Sequence, residues 1–162
     1  MEKRDYPVTP GIRFLREKKV PFTPFTYSYE DHGGTARAAS FLEVPEHAVI
    51  KTLVMESDSR QIFLVLMHGD REVSTRQLAR QIGARHVSPC DVSVAQKQTG
   101  YLVGGISPFG TRKNLPVYVQ KTIFDLERVY INAGKRGFLV EIDPLELRRI
   151  LPVAEVDASV EG

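Results

Sequence analysis

Residues 99–117 read TGYLVGGISPFGTRKNLPV, with four glycines, two prolines and a basic pair in one stretch. Glycine and proline at this density break regular elements. A loop that only joins two elements runs to about 4–6 residues, so any fold has to accommodate a long, demanding loop near its middle. Its length and punctuation point to a binding loop.

The segments on either side are short and of both kinds. Thr9-Pro10 followed by GIRFLREKK reads as a capped helix start with proline at its first position. Val20 to Tyr29 is rich in aromatic residues and threonine and reads as a strand, which Pro21 and Pro24 push to a sheet edge. After the turn at residues 31–34, Thr35 is placed to cap a helix ending before Pro45. VIKTLVM (49–55) and IFLVLMH (62–68) read as a hairpin. Ser74 caps a third helix that Gly83 stops, residues 85–88 suit a short strand, and Asp91 to Gln98 reads as a helix halted at Gly100. Strand VYVQ, a helical turn around residues 124–126, strand VYIN, a Gly134–Gly137 turn, strand FLVEI and a helix opened by Asp143-Pro144 follow. The tail after Leu151 is expected to fray. Strands outnumber helices, and helices do not follow every strand. This excludes a regular doubly wound sheet and favours a single mixed α+β domain over residues 1–162.

Composition narrows the class. No apolar run is long enough to span a membrane, and MEKRDYPVTP lacks the apolar core of a secretory leader. One cysteine, Cys90, forms no internal disulfide and suits a reducing cytoplasm. The net charge of +2 is small, but residues 97–136 carry seven basic against two acidic side chains. Such a local field can attract phosphate, although on charge alone a solvated basic surface is the simpler reading.

Several constellations carry possible chemistry. Gly105 and Gly110 have P-loop spacing, yet Thr111-Arg112 follows in place of the Lys-Ser/Thr pair, and Pro108 removes an N–H from the cradle. A nucleotide loop is therefore excluded. Glycines that let backbone approach a ligand, with clustered N–H groups, remain suited to a carbonyl oxygen or an anion. Lys51 lies in a strand whose two faces are both largely apolar; a lysine so placed has a partner or a task, or else protects a sheet edge. Cys90 precedes a helix that would lower its pKa, but Asp91 opposes this, and packing is the simpler role. His32, His47, His68 and His86 are scattered with no ligand spacing, so no metal and no cofactor is expected. Tyr27 and Tyr29 are suited to edge packing or to stacking on a base.

QTGYLVGGISPFGTRKNLP (98–116), VIKTLVM (49–55) and YINAGKRGF (130–138), with the first helix and FTY at 25–27, resemble the YbaK/EbsC family along almost the whole chain. These are free-standing relatives of the editing domain of prolyl-tRNA synthetase. The resemblance implies a mixed, barrel-like sheet surrounded by helices. It also implies deacylation of mischarged tRNA, in the nearest members removal of cysteine from Cys-tRNA(Pro) with the substrate's own thiol attacking its carbonyl. Cysteine and proline are too alike in size for one synthetic pocket to separate well. On this resemblance Lys51 holds the terminal adenosine or the ester, and the backbone of Gly104, Gly105, Ile106 and Ser107 stabilises the oxyanion. Tyr27, Tyr101, Pro108, Ala133 and Gly134 are expected around the substrate. Arg112, Lys113, Lys135 and Arg136 are expected on the tRNA backbone. The expected partners are the aminoacylated 3′ end of tRNA and prolyl-tRNA synthetase. Two positions depart from the family pattern: Leu139 stands where an aspartate is frequent, and Ala133-Gly134 where Gly-Gly is. Alanine on proline tRNA is therefore a second candidate substrate. A tRNA-binding module without turnover and a small-molecule thioesterase are the readings from other classes.

Overall fold

Thr9 opens the first helix by accepting a hydrogen bond from the Ile12 N–H at 3.1 Å, with Pro10 in the first turn. The computed structural model describes residues 6–161; residues 1–5, on which the leader reading partly rests, lie outside them. Helix α1 (Pro10–Glu17) buries Ile12 and Leu15. The order continues with β1 (Thr23–Thr26), α2 (Gly34–Leu42), β2 (Val49–Ser57), β3 (Ile62–His68), β4 (Arg71–Val73), α3 (Thr75–Ile82), β5 (Val87–Pro89) and α4 (Val92–Thr99). After the glycine-rich loop come β6 (Val117–Gln120), β7 (Val129–Lys135), β8 (Phe138–Ile142), α5 (Leu145–Ile150), β9 (Val153–Val156) and β10 (Ser159–Glu161).

The strands form one mixed sheet in the order β1-β8-β7-β2-β3-β6-β9, with β5 added to β2, and a small β10-β4 ladder. Side-chain alternation along each strand separates two cores. Leu64 and Leu66 of β3 join Ile12, Leu15, Val119, Val140 and Leu147 in one, under α1 and α5. Phe63 and Val65 join Leu78 and Ala79 of α3 in the other, and a smaller cluster seats α2 through Ala38 and Ala39 against Val49 and Leu139. The mixed sheet with helices packed around it is the fold class expected. No helix among the described residues is long and apolar enough to cross a membrane.

Four local expectations need correction. The segment after Leu151 does not fray: β9 lies parallel on β6 and β10 antiparallel on β4. Its backbone groups find partners far away in sequence, which no local signal announces. Thr35 does not cap α2. The N-cap is Gly33, without a side-chain bond, and the Thr35 hydroxyl instead donates to the Glu46 carboxylate at 2.7 Å. The strand expected over residues 20–29 is confined to Thr23–Thr26, and β4, three residues long, went unread. By contrast Ser74 accepts from the Gln77 N–H, and Gly83 and Gly100 end their helices in the left-handed conformation, as their positions led one to expect.

Candidate active site

Strand β2 is paired along the whole of its β3 edge, from Ile50 to Glu56. Its other edge is only partly covered. β7 takes Val49 and Ile50, β5 takes Met55 to Ser57, and residues 51–54 between them face a gap. Val54 uses its carbonyl there to accept from the Cys90 N–H at 3.2 Å. Backbone groups alternate direction along a strand, so the N–H and C=O of Thr52 point into the same gap. A cavity of about 700 Å³ occupies it, within the usual size for a small-molecule site.

Three segments close the cavity. Tyr27, Tyr29 and the 30–35 turn lead into Arg37 and Ala38 of α2. Val103, Gly104 and Ile106 come from the glycine-rich loop, and Asn132, Arg136 and Leu139 from the β7–β8 hairpin. Loop and hairpin interlock through backbone. A Cβ on Gly105 would lie 2.7 Å from the Arg136 nitrogen, and one on Gly134 would lie 2.6 Å from the Tyr101 ring. The glycines that first marked the loop are therefore required for close approach. Asn132 bolts the turn from within: its Oδ1 accepts from the N–H groups of Gly134 and Lys135, and its Nδ2 donates to the Lys135 carbonyl. The Arg136 guanidinium donates to the Val103 carbonyl at 2.9 Å and lies over the Tyr29 ring at 5.4 Å.

Lys51 stands on the wall of this cavity with its side chain 21% exposed, Nζ 3.7 Å from a Glu72 carboxylate oxygen on β4. Lys51 lies in the stretch of β2 whose second edge has no partner strand, where the cavity adjoins it. Next to it, the Thr52 hydroxyl is buried and has no hydrogen-bond partner among the described residues. An unpaired buried hydroxyl is costly, and the residue that carries it is part of the cavity lining. Cys90 also lines the wall. Burial, then the nearby Glu56 charge, pushes its thiol pKa up, so it stays protonated at neutral pH. Burial, then the neighbouring Tyr29, raises that of Tyr27. Leu139 is 4% exposed and joins Val49, Ala38 and Tyr27, which makes this part of the wall apolar.

Of the residues singled out in the sequence, Lys51, Tyr27, Gly104, Ile106 and Arg136 meet at the cavity. Gly105, Ser107 and Pro108 lie buried in the loop behind it. The Gly105 N–H is already given to the Leu102 carbonyl at 2.9 Å, which removes it from the set of available oxyanion donors. The Ser107 hydroxyl accepts from the Phe109 N–H. Tyr101 is buried, its hydroxyl donates to the Phe109 carbonyl, and burial pushes its pKa up to about 12. Ala133 is fully buried, and its carbonyl accepts from Thr9. Arg112 and Lys113 run back along the end of α4, their N–H groups bonded to the carbonyls of Thr99 and Gln98, and Lys135 is exposed at the end of β7. Sequence reasoning missed Asn132, whose place two residues before a glycine turn was the available signal. It also missed Thr52, which no pattern marks. The histidines are less scattered than their numbers imply. His47 stacks on His68 with ring centroids 3.6 Å apart, and His47 Nδ1 lies 2.8 Å from Asp70. Among the described residues no three His, Cys, Asp or Glu side chains gather as metal ligands would.

Residues 30–150 match the model of the aminoacyl-tRNA editing domain. The chain is 27% identical over 144 residues to EbsC of Enterococcus faecalis, provisionally named a Cys-tRNA(Pro)/Cys-tRNA(Cys) deacylase, with 88% of each chain covered. It is 35% identical over 123 residues to the proline–tRNA ligase of Moorella thermoacetica, covering 75% of this chain and 21% of the ligase. A crystal structure described as a provisional trans-editing enzyme for prolyl-tRNA synthetase superposes with a TM-score of 0.81 at 18% identity, over 95% of this chain and 99% of that one. A hypothetical protein of known structure superposes with a TM-score of 0.85 at 22% identity, over 94% of this chain and all of that one.

Proposed function

Because this chain belongs to the aminoacyl-tRNA editing domain family, we propose that it is a trans-acting deacylase of mischarged tRNA in the cytoplasm that removes cysteine from Cys-tRNA(Pro), and also from Cys-tRNA(Cys). The observation that carries the reading is the meeting of Lys51, the open edge of β2, Gly104 and Ile106 around one cavity.

The ester is already activated, so the site needs placement and electrostatics more than a protein nucleophile. Lys51 supplies a positive charge for the terminal nucleotide or the ester oxygen. With the Gly105 N–H taken, the N–H groups of Gly104 and Ile106 are the loop donors left to serve the developing oxyanion. The Thr52 hydroxyl and its main-chain groups are placed to hydrogen-bond the bound aminoacyl group. The substrate thiol sulfur bonds to its own carbonyl carbon as the bond to the ribose oxygen breaks, and the thiol proton goes to that oxygen. The resulting thiolactone opens in water. Cys90, kept protonated, forms wall rather than nucleophile. Arg136 faces the entering 3′ end, with Lys135 on the outer strand; Arg112 and Lys113 lie farther along the RNA. Prolyl-tRNA synthetase is the partner expected to hand over the substrate.

Leu139 favours a second substrate. An apolar wall without a carboxylate suits the methyl of alanine as well as a thiol, and Ala-tRNA(Pro) would then be cleaved by water. Deacylation of Cys-tRNA(Pro), Cys-tRNA(Cys) and Ala-tRNA(Pro) measured side by side decides. Loss of the cysteinyl esters, abolished in Lys51→Ala, is the expected result. Loss of the alanyl ester alone moves the specificity. Turnover of none, with tRNA still bound, leaves a binding module and sinks the proposal.

A further inference from the structure

A second concavity lies outside the reaction cavity. It has a volume of about 400 Å³ and is lined by Arg76, Ala79 and Arg80 of α3 and by Arg85, His86 and Val87 leading into β5. α3 is anchored from below by Leu78 and Ala79, both buried. That leaves Arg76 and Arg80 on one exposed face, one turn and about 6 Å apart. Arg85 and His86 face them from the opposite lip. Their backbone is fixed by Asp58, whose carboxylate accepts from the Arg85 N–H at 2.9 Å and the His86 N–H at 3.3 Å. Asp58 is thereby occupied with main chain. None of the three arginines makes an ion pair with a carboxylate among the described residues, whereas Arg37, Arg148 and Arg149 all do. Three guanidinium groups are thus held beside one another at a concave surface, none with a carboxylate within ion-pair distance among the described residues.

We infer that this groove binds the phosphate backbone of RNA, specifically the stem of the tRNA whose 3′ end occupies the reaction cavity. The position supports it. Val87 lines the groove and Cys90 lines the cavity, so β5 joins the two over three residues, about 10 Å. The groove is thus the neighbouring concavity beyond the β5 end of the cavity wall. The chemistry supports it too, since the planar guanidinium fork matches phosphate oxygens bidentately. The line Arg76–Arg80–Arg85 suits a chain of regularly spaced charges better than one compact anion. Arg136 already stands at the cavity, so the groove supplies phosphate contacts beyond those of the rim.

The inference rests on the reading of the cavity as an aminoacyl-tRNA site, and binding of uncharged tRNA tests it apart from turnover. Affinity for uncharged tRNA, read by fluorescence anisotropy from about 50 to 200 mM salt, is compared in the wild type, Arg76→Glu/Arg80→Glu and the milder Arg76→Gln/Arg80→Gln/Arg85→Gln. Melting curves confirm that each variant is folded. The expected result is at least a tenfold loss of affinity, with the slope of log K against log salt reduced by about two. Unchanged affinity and slope in the folded glutamine variant would overturn the inference. So would wild-type binding to inorganic triphosphate or to polyglutamate that matches or exceeds binding to tRNA, which would reassign the groove to a small anion or to an acidic protein surface. Groove-dependent tRNA binding in a chain that hydrolyses none of the three esters would sink the functional reading and keep this one.

Discussion

The two concavities of this molecule are built in opposite ways. The larger is a gap in the sheet, where β2 lacks a neighbour over four residues, and main chain, glycine contacts and buried side chains shape its walls. The smaller is a shallow trough formed by exposed arginine side chains on a well-anchored helix. The first can fix a reacting group within fractions of an ångström, while the second can only concentrate charge. The difference predicts that changes in the cavity act on turnover and selectivity, and changes in the groove on affinity and its dependence on salt.

The largest test of that division is Lys51→Ala. Single-turnover deacylation is expected to fall about 100-fold or more, while the melting temperature and the salt slope of tRNA binding stay within error. A changed slope would mean that Lys51 belongs with the phosphate contacts, and the two regions would not be separate. Next is Gly105→Ala. Its methyl would sit 2.7 Å from the Arg136 nitrogen and 2.8 Å from the Lys135 carbonyl carbon, both of them backbone. Loop and hairpin must separate, at a cost of about 1–3 kcal/mol in chemical denaturation, with turnover lost alongside.

Thr52→Val sharpens the comparison further. It replaces a buried hydroxyl without a partner by a methyl of the same shape. Stability is expected to hold or to rise slightly, and turnover to fall about tenfold. Unaltered turnover would remove Thr52 from the substrate contacts.

The smallest effect is expected at the histidine stack, which lies outside the lining of both regions. Burial, the largest influence, lowers the His68 pKa below its ordinary 6.5, although the His47 carbonyl opposes this. The folded state therefore favours neutral His68. Its stabilising contribution is complete above pH 6.5 and declines as the pH falls from there toward the lowered folded value. Asp70, held low by His47, loses its own contribution only at more acidic pH. Denaturation midpoints should drop modestly between pH 7.5 and 5.5, and His68→Gln should flatten that drop.

The sequence made the helix ends legible because capping is local: Thr9, Ser74, Gly83 and Gly100 act on their nearest turns. Thr35 looked like the same signal, but a tertiary partner, Glu46, took its hydroxyl. β9 and β10 could not be read, since VAEV and SVE gain their ladders from strands more than thirty residues away. At the site, the pairing of Lys51 with the glycine-rich loop came from a resemblance and not from spacing. No one-dimensional pattern announces that β7 leaves β2 after two residue pairs, and the cavity exists because of that departure. The groove was invisible for a similar reason. Arg76, Arg80 and Arg85 stand among ordinary surface charges until Asp58 folds the 85–86 backbone back against α3.

The ladder between β10 and β4 bears on how the chain is made. β4 carries Glu72, the carboxylate nearest the Lys51 ammonium, and its partner is residues 159–161. During synthesis β4 leaves the ribosome unpaired, and β6 later emerges still lacking β9. The sheet can be completed only after residues 153–161 have cleared the exit tunnel. The finished site in this sense waits on its most distal strands, and a nascent chain whose residues 153–161 have not emerged would present an uncapped sheet edge to chaperones rather than a working cavity.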